Sequence, residues 1–353
     1  MTSQQPDPIW VPGAGPGGQP VMTARVLVPT TGSWDEVAGY ARLADQLGYE
    51  SINCSHISAR DSFTTLAALA ALAPRARLAT AVAPIYHRSP ASMAQTAATV
   101  DDLSGGRFRL GLGTGHRITM SSWHGQRIGK PLAEIREYVS VVRALLAGRP
   151  ATDGTRWQSQ FPFVGFTPRP DIPIYLAGLS PGMIRLAAEI ADGVVLWACP
   201  ASYVADVVVP EVAAVRRAAG KDPAAFDVVA AVPAAATDDL TTALAGIRDE
   251  LHRYFGLPFY RAMFTAAGYG ADVTAYDAAA GDRPAQLDAI SERLVADLCT
   301  IGDPARLAAG LQRYRTAGAI NPMITHIRGT DFAATLRAAA PQQSDASVPA
   351  SRS

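Results

Sequence analysis

Residues 80–116 read TAVAPIYHRSPASMAQTAATVDDLSGGRFRLGLGTGH, and the choice of fold turns on them. Two β-rich runs, 78–85 and 107–113, flank an apolar-periodic segment, 91–103, that scans as a helix. Strands joined through a helix lie parallel, because a crossover of this length cannot close a hairpin. Both runs end in residues suited to a site: Tyr86, His87 and Arg88 after the first, Gly113-Thr114-Gly115-His116 after the second. Ligands in parallel α/β folds gather at the carboxyl ends of strands, so chemistry is expected there.

Outward from this unit the same alternation continues. Strands are expected at 25–28, 49–53, 172–177, 193–198, 227–231 and 322–327, and helices at 34–47, 62–73, 131–147, 181–191, 202–219 and 238–255. Further helices are expected at 286–299, 304–317 and 331–340, and a small hairpin within 153–170. Eight strands, each followed by helical sequence, favour a closed (β/α)8 TIM barrel over an open sheet. Residues 256–284, rich in glycine and aromatics, interrupt the rhythm and read as a loop excursion on the catalytic rim, either a lid or substrate wall or a subunit contact. The barrel is expected to occupy residues 23–340. A Pro- and Gly-rich arm with Trp10 (residues 1–22) would precede it and a polar tail (341–353) would follow.

The 353 residues carry 31 basic and 31 acidic side chains, which gives no electrostatic footprint for nucleic acid or an anionic membrane. Cys54, Cys199 and Cys299 are far apart and lack a CxxC spacing, so they read as buried thiols in a reducing compartment. No apolar run reaches the roughly 20 residues of a membrane span, and the first residues lack a secretory pattern. The expected protein is cytoplasmic, with a small-molecule substrate and no nucleic-acid or membrane partner. Gly111, Gly113 and Gly115 are spaced G-x-G-x-G, which fails the G-x-G-x-x-G dinucleotide fingerprint. His87, His116 and His124 lack metal-ligand spacing and acidic partners, so no metal is expected.

Two segments, SINCSHISARD (51–61) and DLSGGRFRLGLGTG (102–115), resemble the bacterial luciferase-like family of flavin and deazaflavin oxidoreductases. Within it, the branch that uses coenzyme F420, such as methylenetetrahydromethanopterin reductase, is the nearest likeness, over roughly residues 24–340. The resemblance implies a luciferase-like barrel with the coenzyme ring at its mouth, and a non-prolyl cis peptide at Ala81-Val82 with Val82 backing the ring. It also implies that Ala83 and Pro84 shape that wall and that Ala177 and the loop Gly178-Leu179-Ser180-Pro181 hold a phosphate. A helix start is by itself a ready anion site, although an ordinary cap gives the same sequence.

His56 stands where F420 enzymes of the family carry a catalytic histidine, but Ser55 replaces the aspartate that precedes it. Ser55 can hydrogen-bond a coenzyme hydroxyl yet supplies no charge to raise the pKa of His56. His116 follows the Gly-Thr-Gly turn where a related enzyme has a glutamate, so either histidine is a candidate for acid/base work. Thr114 and Gly115 would let the backbone approach the ring, and Arg88 would pair with a phosphate or carboxylate. The reading is an F420-dependent oxidoreductase that transfers hydride to or from a small organic substrate, with a homodimer as the expected assembly. The alternatives are a monooxygenase using reduced FMN and a flavin-binding protein without turnover.

Overall fold

A computed structural model describes residues 23–341; the expected arm 1–22, with Trp10, and residues 342–353 of the expected tail lie outside them. Eight parallel staves close into a barrel in the order β1 (Arg25–Leu27), β2 (Ser51–Cys54), β3 (Arg77–Thr80), β5 (Phe108–Gly113), β6 (Ile174–Ala177), β7 (Gly193–Leu196), β8 (Asp227–Ala236) and β10 (Met323–His326). β10 seals the ring by pairing with both β1 and β8. Two short strands, β4 (Ala83–Pro84) and β9 (Thr300–Gly302), pair with β5 and β8 respectively. The face turned to the helices is apolar, as at Val26, Ile52, Leu78, Leu110 and Val194, while the inward face mixes apolar residues with Arg25, Asn53, Arg109 and Asp227.

The helices outside begin on side chains that replace the missing intrahelical partners. Ser33, Asp61, Ser89, Asp303 and Asp331 each accept the amide three residues ahead, and Ser33 with Glu36 makes a complete capping box.

The central unit departs from a plain strand. Along β3 and β4 the partners of β5 step from Ala79↔Arg109 to Ala83↔Leu112, so four residues on one side span three on the other. The extra residue is a β-bulge, and the Ala81-Val82 peptide within it is cis, as the resemblance implied. Thr80 completes the hydrogen bonding where the main chain leaves the ladder. Its hydroxyl donates to the Gly111 carbonyl at 2.8 Å and accepts the Gly111 N–H at 2.9 Å. A Cβ on Gly111 would lie 2.0 Å from the Thr80 carbonyl oxygen, and one on Gly113 would lie 2.8 Å from Val82 Cγ2. These two glycines are therefore required by strand packing.

The foot of the barrel holds ions instead of apolar layers. Arg25 contacts Glu50 at 2.9 Å and Asp227 at 2.5 Å, Arg109 contacts the same Glu50 at 2.5 Å, and the Tyr175 hydroxyl donates to Asp227 at 2.8 Å. Burial opposes charge on both Arg25 and Glu50. The facing partners outweigh it, raising the Arg25 pKa and holding Glu50 well below the usual carboxylate range.

Several boundaries differ from expectation. Residues 256–284 are mostly helical, as Pro258–Phe264, a π-segment Thr265–Tyr269 and Gly270–Ala278, because Tyr260, Phe264, Tyr269 and Tyr276 are buried and set helical spacing. The expected helix 286–299 breaks into Arg283–Asp288 and Glu292–Leu298, since Ser291 caps the second piece. The expected hairpin within 153–170 reduces to one antiparallel bridge, Ala151↔Ser159. The helix expected at 202–219 carries a π-segment at Val204–Val208, where Pro210 has no N–H to donate to the preceding turn.

Two substitutions test this account. Gly111→Ala is expected to destabilise by at least the 1–3 kcal/mol or so typical of overpacking, read as a lower urea midpoint. Asp227→Ala strands Arg25 beside one carboxylate in a buried site and is expected to cost about 3–5 kcal/mol by the same measurement.

Candidate active site

The mouth of the barrel receives the ends of β2, β3–β4, β5, β6, β7 and β10. His56 leaves β2 and is held from the following turn. The Ser62 N–H donates to its Nδ1 at 3.3 Å and the Ser62 hydroxyl lies 2.9 Å from the same atom. Nδ1 is thus the accepting nitrogen, and the neutral ring carries its proton on Nε2. Burial lowers the His56 pKa by more than Asp61, 3.6 Å away, raises it.

Asp61 is in turn gripped by Arg88 at 2.6 Å and accepts the Thr64 N–H at 2.8 Å. Burial works against its charge, but these donors bring its pKa down to about 2. Arg88 also lies 4.7 Å over the Phe63 ring. The guanidinium expected to meet a ligand is therefore engaged by the protein's own carboxylate. His56 continues into a line of rings, 5.2 Å to His87 and 4.0 Å from His87 to the exposed His124. The Nε2 of His87 is buried without a hydrogen-bond partner. Burial first, then His124, His56 and Arg88, push the His87 pKa down to about 4.

The second group of expected residues forms a smooth wall. Val82 stands over Gly113, and Ala177 would lie 3.3 Å from a Cβ at Gly113. Ala83 and Pro84 are buried in β4 behind it. Gly178 packs on Val194, and Ser180 caps the helix Pro181–Ile190, accepting the Met183 N–H at 3.4 Å. Thr114 is half-buried, and Gly115 takes a φ of +66°, which turns the chain into the helix Arg117–His124.

His116 sits on this turn, away from the His56 line. Its ring lies 5.8 Å from Tyr260 and 6.4 Å from Tyr254, and Tyr254 lies 5.9 Å from Trp197 at the end of β7. The chain beyond β8, through its helix Leu240–Phe255 and the start of the insertion, thus lowers two tyrosines onto the mouth. Burial lowers the pKa of His116, so it is neutral at pH 7.

Beside Trp197 opens a cavity of about 250 Å³, bounded by Val28, Ser55, Trp197, Pro233, Glu250 and Thr325 among others. It includes Ser55 but none of Val82, Thr114, His116 or Ala177. The expected residues therefore divide between a wall and a neighbouring chamber. Among the described residues no group of histidine, cysteine and carboxylate side chains is arranged to hold a metal. No helix there is long and apolar enough to cross a membrane.

A family model described as luciferase-like monooxygenase matches residues 12–320. The chain belongs to this family. It is an oxidoreductase by that membership and by its relatives. A Mycobacterium tuberculosis protein whose provisional name is coenzyme F420-dependent oxidoreductase is 29% identical over 314 residues, covering 80% of this chain and 88% of that one. The 5,10-methylenetetrahydromethanopterin reductase of Methanolobus tindarius is 34% identical over 198 residues, or 55% of this chain and 60% of the reductase. The solved structure of the coenzyme F420-dependent tetrahydromethanopterin reductase of Methanopyrus kandleri superposes with a TM-score of 0.77 over 90% of this chain and 98% of that one. At 21% identity it speaks to the fold alone.

Within this luciferase-like barrel, sequence reasoning passed over Asp61, Trp197, Glu250, Thr325 and His326. Trp197 and His326 end strands, the same rule that singled out His56 and His116, and were available to it. Asp61 and Glu250 reach the mouth only through the turn and the helix that carry them.

The His87 pKa gives a signed expectation. Its folded value, about 4, lies below the ordinary 6.5, so neutral His87 supports the fold above pH 6.5. That support is lost as pH falls from 6.5 towards 4. As pH falls through this window the urea midpoint of the parent should decline more steeply than that of His87→Gln. Parallel declines would remove His87 as a source of acid sensitivity.

Proposed function

We propose that the protein transfers hydride between coenzyme F420 and a small organic substrate at the barrel mouth. The observation that carries this is the smooth apolar wall at Gly113, overlaid by Val82 and bordered by Ala177, with one neutral, half-buried histidine after β2 and another on the turn after β5. A planar tricyclic ring needs such a flat apolar backing, and the residues present fit it. The F420-dependent name of the Mycobacterium tuberculosis relative supports the same coenzyme.

The bound coenzyme supplies the carbon that gives or takes hydride. Ala81, Val82, Ala83 and Pro84 would form the surface that backs the ring, and Thr114 and Gly115 would border it. Ser55 would meet a hydroxyl of the coenzyme, while Ala177, Gly178, Ser180 and Pro181 would receive its phosphate end at a helix start. Arg88 contributes by fixing Asp61 beside His56.

The two histidines divide the proton work. His56, with Nδ1 occupied by Ser62, presents Nε2–H and orients an acceptor atom. His116 is neutral and makes no hydrogen bond through its ring among the described residues, so it takes up the proton released when a substrate hydroxyl is oxidised. The family's namesake monooxygenase chemistry makes reduced FMN with oxygen the competing reading.

Titrating the protein separately with F420 and FMN decides between them, with F420 expected to bind and to be reduced by substrate. FMN binding with oxygen consumption would favour the monooxygenase. His116→Ala is expected to lower turnover about 10²- to 10⁴-fold with F420 binding nearly intact. The acid limb of kcat/KM, falling as pH drops through the lowered His116 pKa, should disappear in that variant. Unchanged turnover would remove His116 as the base.

A further inference from the structure

The chamber beside the wall carries more than shape. Thr325 is 2% exposed, borders this space, and its hydroxyl has no hydrogen-bond partner. A buried hydroxyl without a partner costs roughly 1–3 kcal/mol, so a built site that keeps one implies a ligand atom to meet it. The rest of the lining limits what that ligand can be.

Arg328 is the one arginine on the lining and there is no lysine, so the lining has a single permanent cation. It is already engaged by Asp249 at 3.1 Å and Glu250 at 3.7 Å. His326 donates through Nε2 to the Thr330 carbonyl at 3.0 Å, and burial lowers its pKa, so it is neutral too. No cation is left over to meet a phosphate or a carboxylate, and Glu250 would repel either.

The walls of Val28, Pro233 and Ile247 are apolar, and Trp197 adds the face of its ring. The volume of about 250 Å³ falls below the ~300–1,000 Å³ of pockets for drug-sized ligands. We propose that this chamber is the substrate compartment of the enzyme and selects a small, uncharged alcohol or ketone, with the Thr325 hydroxyl bonded to its oxygen. This rests on the hydride-transfer reading for its role, but the binding itself does not.

The test uses a neutral and an anionic probe, cyclohexanone and cyclohexanecarboxylate, with cyclohexyl methyl ketone, the uncharged isostere of the carboxylate, as the control for bulk, on the full-length protein without coenzyme. Binding is read by quenching of tryptophan fluorescence, which a Trp197→Phe variant should lose, and by saturation-transfer NMR. Cyclohexanone is expected to bind at least tenfold more tightly than the carboxylate. Thr325→Val, close to the same size, should weaken cyclohexanone about fivefold, the worth of one neutral hydrogen bond, and Thr325→Ser should restore it.

Equal or tighter binding of the carboxylate would overturn the proposal. So would an unchanged affinity in Thr325→Val, or competitive displacement of cyclohexanone by F420 or FMN, which would give the chamber to the coenzyme. If cyclohexanone binds as expected but neither coenzyme does, the compartment stands and the hydride-transfer reading falls.

Discussion

The structure depends on one close approach, the Thr80 carbonyl laid against the α-carbon of Gly111. Because no side chain stands on β5 at that point, the preceding strand can swell by a residue and still rejoin its neighbour. The Thr80 hydroxyl supplies both hydrogen bonds that the displaced main chain gives up. Val82 is thereby carried over Gly113, and the wall of the candidate site follows from it. A fold constraint and the wall of the candidate site are thus written in the same glycines.

This explains what the sequence disclosed and what it hid. The eight staves were legible because each is a short β-rich run between helical segments, and the Gly-rich end of β5 marked the mouth. Gly111 and Gly113 were visible as a motif, but their reason, packing against the strand before, was not, since the bulge that needs them lies across a ladder. β9 fell in the gap between the expected helices 286–299 and 304–317 and went unread, because three residues carry no usable alternation. The insertion was misread as a loop because its glycines and aromatics suggest turns, whereas burial of its tyrosines imposes helical spacing. Among site residues, His56 and His116 could be found by strand-end position. Asp61 could not, since its role comes from a turn that folds it back beside His56.

The two ends of the barrel divide the physical work. At the foot, Arg25, Glu50, Arg109, Tyr175 and Asp227 satisfy one another in a nearly dry network, which contributes to a single arrangement of the staves. At the mouth, polar atoms such as His87 Nε2 and Thr325 Oγ1 are left without partners. Conserving satisfaction at one end and leaving it incomplete at the other is the pattern expected where a rigid scaffold presents a reactive rim.

The short pairing of β9 with the far end of β8 reaches beyond geometry. The chain departs after Ala236, makes the whole excursion that carries Tyr254 and Tyr260, and returns at Thr300 beside Ala234, with the Thr237 N–H donating to the Gly302 carbonyl at 3.2 Å. Its entry and exit are therefore stapled together, independent of what lies between. Such an excursion is a cassette: it can be lengthened, shortened or exchanged for another without reopening the ring, so new specificities can be grafted onto an unaltered barrel.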